Sequence, residues 1–288
     1  MIIVRIIGGL GNQMFQYAFG FSLSKRTGQQ FKLDIAGFDS CSLRTFSLSY
    51  YGLKEDFATK DEVKTLKFCE ESLITKLLRK TKKKPPPFAD TYKSESQNSE
   101  EISLSNKGAY YDGYWQNEIY FKDYRKDLIN LFSITSTSSD TKEYLQKIST
   151  TESVSLHVRR GDYVANLHTK NVHGLCDIPY YRDSYEMISR KVNKPHFFIF
   201  SDDLAWAKEN LKFVAPLTFI EFDDAATDNE EVFLMSQCHH NIIANSSFSW
   251  WGAWLNQHEN QVVAAPRHWF ADKLRKTSSL TPKSWNRL

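Results

Sequence analysis

Between residues 153 and 264 the chain alternates short apolar runs with amphipathic segments, and this rhythm restricts the fold more than any other feature. Apolar runs fall near 153–158, 196–200, 217–222, 241–244 and 261–264, with helical patterns near 180–192, 204–211, 229–238 and 249–257. Strands separated by helix-length crossovers predict a parallel, Rossmann-like sheet. Pro179 suits the first turn of its helix. The first forty residues carry the same theme. Ile2–Ile7 reads as a buried strand and Gly8–Gly11 as a tight turn; Met14, Ala18 and Phe21 recur at helical spacing before a second strand at Phe31–Ile35. The expected fold class is therefore α/β, with two Rossmann-like domains facing each other across a cleft.

The Ser- and Thr-rich stretch Ser133–Asp140 is the expected linker, dividing the chain into domains over 1–135 and 141–288. Within the first, residues 60–107 read as a variable insertion. Leu66, Leu73 and Leu77 suggest one helix, Arg79–Pro87 breaks regular structure, and Ser94–Ser105 is a polar, mobile surface stretch. Order returns with an aromatic strand at Ala109–Trp115 and a helix carrying Phe121, Tyr124, Leu128 and Leu131.

At 288 residues, 41% apolar and 25% charged, the chain is long enough for two globular domains. A net charge of +3 is too small to imply a nucleic-acid partner. Cys41, Cys69, Cys176 and Cys238 show no C-x-x-C spacing, which argues against a disulfide framework or a zinc site. Neither a signal peptide nor an apolar stretch near the roughly 20 residues that span a bilayer is visible. A cytoplasmic protein is expected. The aromatic content fits sugar stacking and a thick core equally well.

Three motifs lie at successive expected strand ends. His157-Val158-Arg159-Arg160-Gly161-Asp162 follows a buried strand, and its guanidinium forks suit phosphate oxygens. A structural ion-pair node would use the same residues. Asn245-Ser246-Ser247-Phe248-Ser249 opens a Trp-rich helix, either as an anion site or as an ordinary N-cap over a core face. Phe200-Ser201-Asp202-Asp203 could accept hydrogen bonds from a ribose or purine edge, or cap the following helix. Ligands sit at the carboxyl ends of strands in open α/β sheets, so the three together point to a phosphorylated ligand.

Other signals fall away. Gly8-Gly9-Leu10-Gly11 would need a third glycine at Met14 to be a dinucleotide fingerprint, which leaves Asp34 structural. The Gly turn reads instead as a close backbone approach, with Asn12 and Gln13 supplying amides. His239-His240 and His168/His173 lack zinc-site partners at useful spacing.

The motifs resemble the α-1,2-fucosyltransferases of glycosyltransferase family 11. The resemblance rests on Gly8–Ala18, Asp112–Gln116, His157–Asp162, Phe200–Asp203 and Asn245–Trp254, spread in order over most of the chain. It implies the GT-B architecture, with an acceptor-side N-terminal domain and a GDP-fucose-binding C-terminal domain. It also implies inverting transfer of L-fucose from GDP-β-L-fucose to the 2-hydroxyl of a terminal β-galactose, with no cofactor and no metal. By motif, Arg159 would contact the β-phosphate, aided by Arg160, and His157 the nucleotide. Asp202 or Asp203 would read guanine or ribose, while Asn245, Ser246, Ser247, Phe248 and Ser249 would line the donor site. Asn12, Gln13 and Trp115 would face the fucose or acceptor. Asp162 is the candidate base, or else orients an arginine. A fucosyltransferase of α-1,6 or protein O-linked type, and a non-catalytic glycan- or nucleotide-sugar-binding protein, remain open. The basic stretch Lys76–Lys84 suggests peripheral contact with an anionic membrane.

Overall fold

The computed structural model describes all residues except 41–43, 54–55, 70–86, 96–107, 135, 162–171, 173, 223–227, 273–276 and 278. Asp162, His168, His173, Cys41 and the Lys76–Lys84 stretch thus lie outside the described residues, as do Leu73 and Leu77 of the expected helix. The chain divides into two compact units, Met1–Leu128 and Ile129–Leu288. The division falls a few residues before the expected Ser/Thr linker, because Phe132 packs its ring edge against Trp251 at 5.2 Å and so belongs to the second unit.

The first unit is built on four parallel strands, β1 (Ile2–Arg5), β2 (Phe31–Asp34), β3 (Tyr92–Ser94) and β4 (Ala109–Asp112), in the order β2-β1-β4-β3. Helix α1 (Leu10–Thr27) crosses from β1 to β2 and ends on Gly28 in the left-handed region at φ 69°. It packs Phe19 edge-on against Tyr111 of β4. Helix α2 (Lys60–Lys67) starts with a capping box, Thr59 and Glu62 each accepting from the other's backbone N–H. The β3 strand was not expected: it falls at the start of a segment whose polar composition reads as surface loop. Tyr92, stacked between Phe88 at 4.0 Å and Tyr110 at 6.0 Å, holds it in the sheet. Asp34 is structural as expected, accepting from the Tyr110 hydroxyl at 2.6 Å.

Helices α3 (Arg125–Leu131) and α4 (Ser139–Ser149) lead into the second sheet. Its six parallel strands are β5 (Glu152–Val158), β6 (Pro195–Ser201), β7 (Leu217–Phe219), β8 (His240–Ile242), β9 (Val263–Ala265) and β10 (Asn286–Arg287). Helices α5 (Ile178–Lys191), α6 (Leu204–Asn210), α7 (Asp228–Gln237) and α8 (Ser247–Leu255) connect them. The strand order is β10-β9-β8-β5-β6-β7. Each α/β unit on its own parallel sheet agrees with the fold class expected of the GT-B type.

Both faces of the second sheet are buried, which explains its nearly continuous apolar runs. Val154, Leu156, Val158, Phe197 and Ile199 face α5, while Phe198 and Phe200 pack with Ile148, Leu234, Met235 and Cys238 on the other side. Beneath α7 and α8, Asn241 donates to Ser155 Oγ at 2.7 Å and accepts from Asn256 and Gln261 at 2.8 Å each. This buried network satisfies its own polar groups. Cys69, Cys176 and Cys238 are free thiols, and no helix among the described residues is long and apolar enough to cross a membrane.

Candidate active site

In each sheet the strand order reverses at one point, and both points carry the sequence motifs. In the second sheet the chain runs one way from β5 to β6 and β7, and the other way from β8 to β9 and β10. The crevice between β5 and β8, outside their carboxyl ends, is the topological switch point where doubly wound sheets bind ligands. His157 and Val158 end β5 there, residues 159–161 leave it, and residues 245–249 follow β8. In the first sheet the reversal lies between β1 and β4. It brings Gly8–Asn12 beside Gly113–Gln116.

Charge at the second switch point is arranged in two parallel ion pairs. Arg159 lies 3.0 Å from Asp202 Oδ2, and Arg160 Nε 3.2 Å from Asp203 Oδ2. Asp202 Oδ1 also accepts from the Arg160 backbone N–H at 2.7 Å. The two arginines are not equivalent. Arg160 stacks its guanidinium over the Trp206 ring, 4.1 Å from the centroid, and is anchored as a structural brace. Asp203 accepts from Trp206 N at 3.1 Å and so caps α6. Of the Asp203 carboxylate, expected to read guanine or ribose, one oxygen holds the cap and the other Arg160.

His157 sits on the same side of the sheet as Phe200, 3% exposed, with its ring 5.7 Å from that of Phe248. Burial pushes its imidazole down to about 3; Asp202 opposes the shift and Arg159 adds to it. The ring is therefore neutral at physiological pH, and its Nδ1 has no hydrogen-bond partner among the described residues. A neutral imidazole beside a cationic clamp can donate or accept a hydrogen bond, but it carries no charge to a phosphate.

Helix α8 opens at the same crevice. Ser246 caps it, accepting from Phe248 N at 3.3 Å, and no acidic residue lies in its first turn. First-turn N–H groups and the helix dipole favour an anion at such a terminus. Two of the expected donor contacts are corrected. Asn245 is 2% exposed, donates to Trp269 O at 3.2 Å and accepts from the Cys176 thiol. Ser249 is 1% exposed, and its hydroxyl donates to Ser246 O at 3.4 Å. Both belong to the wall of the site. Ser247 and Phe248 are only half-buried, and Phe248 packs against the core cluster that holds Phe198 and Phe200.

Glu231 on α7 escaped the sequence reading because no motif surrounds it. Its half-buried carboxyl is raised to about 7, chiefly by desolvation and then by Asp228 and Asp202, with Arg159 pulling the other way. A carboxyl near neutrality, coupled to the clamp, is the kind of group that functional sites accumulate.

In the first unit, Gly8 takes φ 82°, and a β-carbon on it would lie 2.8 Å from Asn12 Nδ2, so the turn requires glycine. Asn12 Oδ1 accepts from Gln116 Nε2 at 2.7 Å across the switch point. Arg44, also absent from the sequence reading, brings a guanidinium nitrogen to 3.8 Å from where a Gly9 side chain would begin. Two expectations fail here. Gln13 is wholly buried: its amide donates to Gly8 O and Thr45 O, and accepts from Ser47 N, all at 2.8 Å. No atom of it remains for a ligand. Trp115 is likewise wholly buried, stacked on Phe19 at 4.1 Å, so its ring is core. Its backbone takes the left-handed value φ 56° and thereby turns the chain toward Gln116.

His258 joins His239 and His240 at the opposite, amino end of the second sheet, beside a cavity of about 430 Å³. The His239 and His258 rings lie 4.3 Å apart. No group of three or more His, Cys, Asp or Glu among the described residues is arranged to hold a metal ion.

The profile of glycosyl transferase family 11 matches residues 88–288, which span the whole second sheet and its motifs. The chain belongs to this family and is a glycosyltransferase. It is 34% identical to an α-1,2-colitosyltransferase of Escherichia coli over 100% of this chain and 99% of that protein. It is 33% identical to the O-antigen biosynthesis glycosyltransferase WbnK, also of Escherichia coli, over 96% and 97% of the two chains. A crystal structure of NodZ α-1,6-fucosyltransferase soaked with GDP-fucose aligns with a TM-score of 0.47 at 15% identity, covering 88% of this chain and 92% of that one.

Proposed function

We propose that this glycosyltransferase moves L-fucose from GDP-β-L-fucose to the 2-hydroxyl of a terminal β-galactoside, with inversion. The observation that carries the reading is the meeting, at one switch point, of the Arg159 clamp with the N-terminus of α8, whose first turn holds no acidic residue. Breaking a bond to a nucleoside diphosphate leaves negative charge on the departing β-phosphate, and preorganised donors in a water-poor site stabilise it. Arg159 and the first-turn N–H groups of α8, with the Ser247 hydroxyl, supply that role without a metal. Buried, neutral His157 backs the donor site without adding charge, and the Glu231 carboxylate suits the N1–H and 2-amino group of guanine. The acceptor side falls to the first unit, through Asn12, Gln116 and the Gly8–Gly9 turn. Asp162 remains the proposed base for the acceptor hydroxyl.

A colitosyl donor is the second reading, and the 34% identity to an α-1,2-colitosyltransferase over the full chain favours it. One assay separates the readings: GDP release from GDP-fucose and from GDP-colitose, each over a panel of β-1,3- and β-1,4-galactosides. Fucosyl transfer with a new α-1,2 linkage supports the first. Activity confined to the colitosyl donor supports the second, and release from neither donor with any galactoside overturns both.

A further inference from the structure

We propose that Asp202 is a positioning residue that aims Arg159, and that it does not read the nucleotide's base or ribose. The inference rests on the donor reading above only in taking Arg159 as the β-phosphate contact. Both oxygens of Asp202 are committed to the loop leaving β5, Oδ2 to the Arg159 guanidinium at 3.0 Å and Oδ1 to the Arg160 N–H at 2.7 Å. The carboxylate therefore grips the clamp loop by backbone and side chain at once. A guanidinium that pairs with phosphate must present a chosen pair of N–H groups, and a fixed carboxylate on its other edge sets which pair that is.

The loop is shaped for this grip. A β-carbon at Gly161 would lie 2.8 Å from Asp202 Oδ2 and 3.1 Å from its carboxyl carbon, so only glycine admits the carboxylate at that spot. Asp203, next along the chain, holds Arg160 and caps α6, which fixes the backbone that carries Asp202. The carboxylate is three-quarters buried. Its pairing with Arg159 is thus weakly screened, and its loss removes a counter-charge 3.0 Å from the guanidinium.

The test compares GDP with GMP, which differ by the β-phosphate alone, by isothermal titration calorimetry on wild type and Asp202→Asn. Asparagine keeps an acceptor for the Arg160 N–H and removes the charge facing Arg159. The expected result is that the preference for GDP over GMP falls about ten- to a hundred-fold, the usual effect of removing the partner that orients a ligand-binding group, while GMP affinity is unchanged. If GMP and GDP weaken by the same factor, Asp202 reads base or ribose and the inference is wrong. An unchanged preference also overturns it. Failure of wild type to bind GDP at all would instead overturn the donor reading. Gly161→Ala is the second variant, since it displaces the carboxylate without altering its chemistry, and the same selective loss of GDP over GMP is expected. Asp202→Glu, which restores charge at a longer reach, should recover part of the preference; a merely structural aspartate predicts no such recovery.

Discussion

Gln116 donates its side-chain amide to Asn12 Oδ1 at 2.7 Å, tying together the two loops that leave β1 and β4. The pair stands where the strand order of the first sheet reverses, and directly beside it Gln13 is sealed in the core. Neighbouring amides therefore have opposite jobs. Gln13→Leu strands a buried Gly8 carbonyl, a Thr45 carbonyl and the Ser47 N–H, and should destabilise the fold by about 2 kcal/mol or more. Asn12→Ala should leave urea-unfolding midpoints nearly unchanged and lower turnover on the acceptor. Equal stability losses in the two variants would count against this division.

Arg159→Lys should reduce turnover about a hundred-fold or more with the fold intact, since an ammonium cannot fork across two oxygens. Arg160→Lys should behave differently. It loses the stacking on Trp206 and the Nε contact to Asp203, so about 1 kcal/mol of stability is expected to go with a smaller loss of turnover. Matched kinetics and thermal unfolding of the two variants would expose any reversal of these roles.

The Glu231 carboxyl is raised from its ordinary 4.5 to about 7, chiefly by desolvation. In this window the folded protein holds a proton that the unfolded chain has lost, so stability falls as pH rises from 4.5 through 7. Donor binding has the opposite sign if guanine needs the carboxylate, and GDP affinity should fall as pH drops below about 7. Glu231→Gln should flatten the binding profile and remove this fall in stability. His157, pushed down to about 3, does not titrate in the folded protein between pH 5 and 9 and adds nothing to the binding profile. In the unfolded chain its imidazole takes up a proton below its ordinary 6.5, so it makes stability rise with pH up to there and opposes Glu231. A GDP affinity that is flat across pH 5–8 in wild type would remove Glu231 from the donor site.

Because the β-phosphate charge is assigned to Arg159 and the α8 N-terminus, transfer should survive excess EDTA. Abolished GDP release that returns with Mg²⁺ or Mn²⁺ would make a cation part of the reaction.

Lys76–Lys84 places six positive charges in nine residues, each worth about 1 kcal/mol near an anionic lipid surface. Sedimentation with phosphatidylglycerol vesicles should be strong at low salt and weak at high salt. A variant neutral across the stretch should lose that dependence; identical partitioning of the two proteins would dismiss membrane contact.

Much of the second unit was legible in the chain because two-sided burial writes itself as apolar runs, and helices between runs force parallel crossovers. Pro179 and the Asp203 and Ser246 caps marked helix starts to within a residue or two. The site was legible as three strand ends, but the order of the strands was not, since periodicity records burial and not neighbours. Nor did motif resemblance separate ligand contacts from walls. Gln13, Trp115, Asn245 and Ser249 share the motifs with Asn12 and Ser247, yet only side-chain burial and partners tell them apart. Glu231 was invisible for the converse reason: its raised carboxyl comes chiefly from desolvation, and then from Asp228 and Asp202, against Arg159, so that it depends on tertiary packing and on residues distant in sequence.

The ladder between β5 and β6 runs in register from Glu152 opposite Pro195 to Val158 opposite Ser201. Arg159 and Asp202 are the next residues on either side, so their ion pair is one more rung, made of side chains instead of peptide groups. The aim of the cation proposed to meet the phosphate is then inherited from a backbone lattice inside the core, and not from the loop that carries it. A single residue inserted within β5 would slide Arg159 off Asp202 and swing His157 to the opposite face of the sheet. The strand that feeds this rung therefore cannot change length without disturbing it.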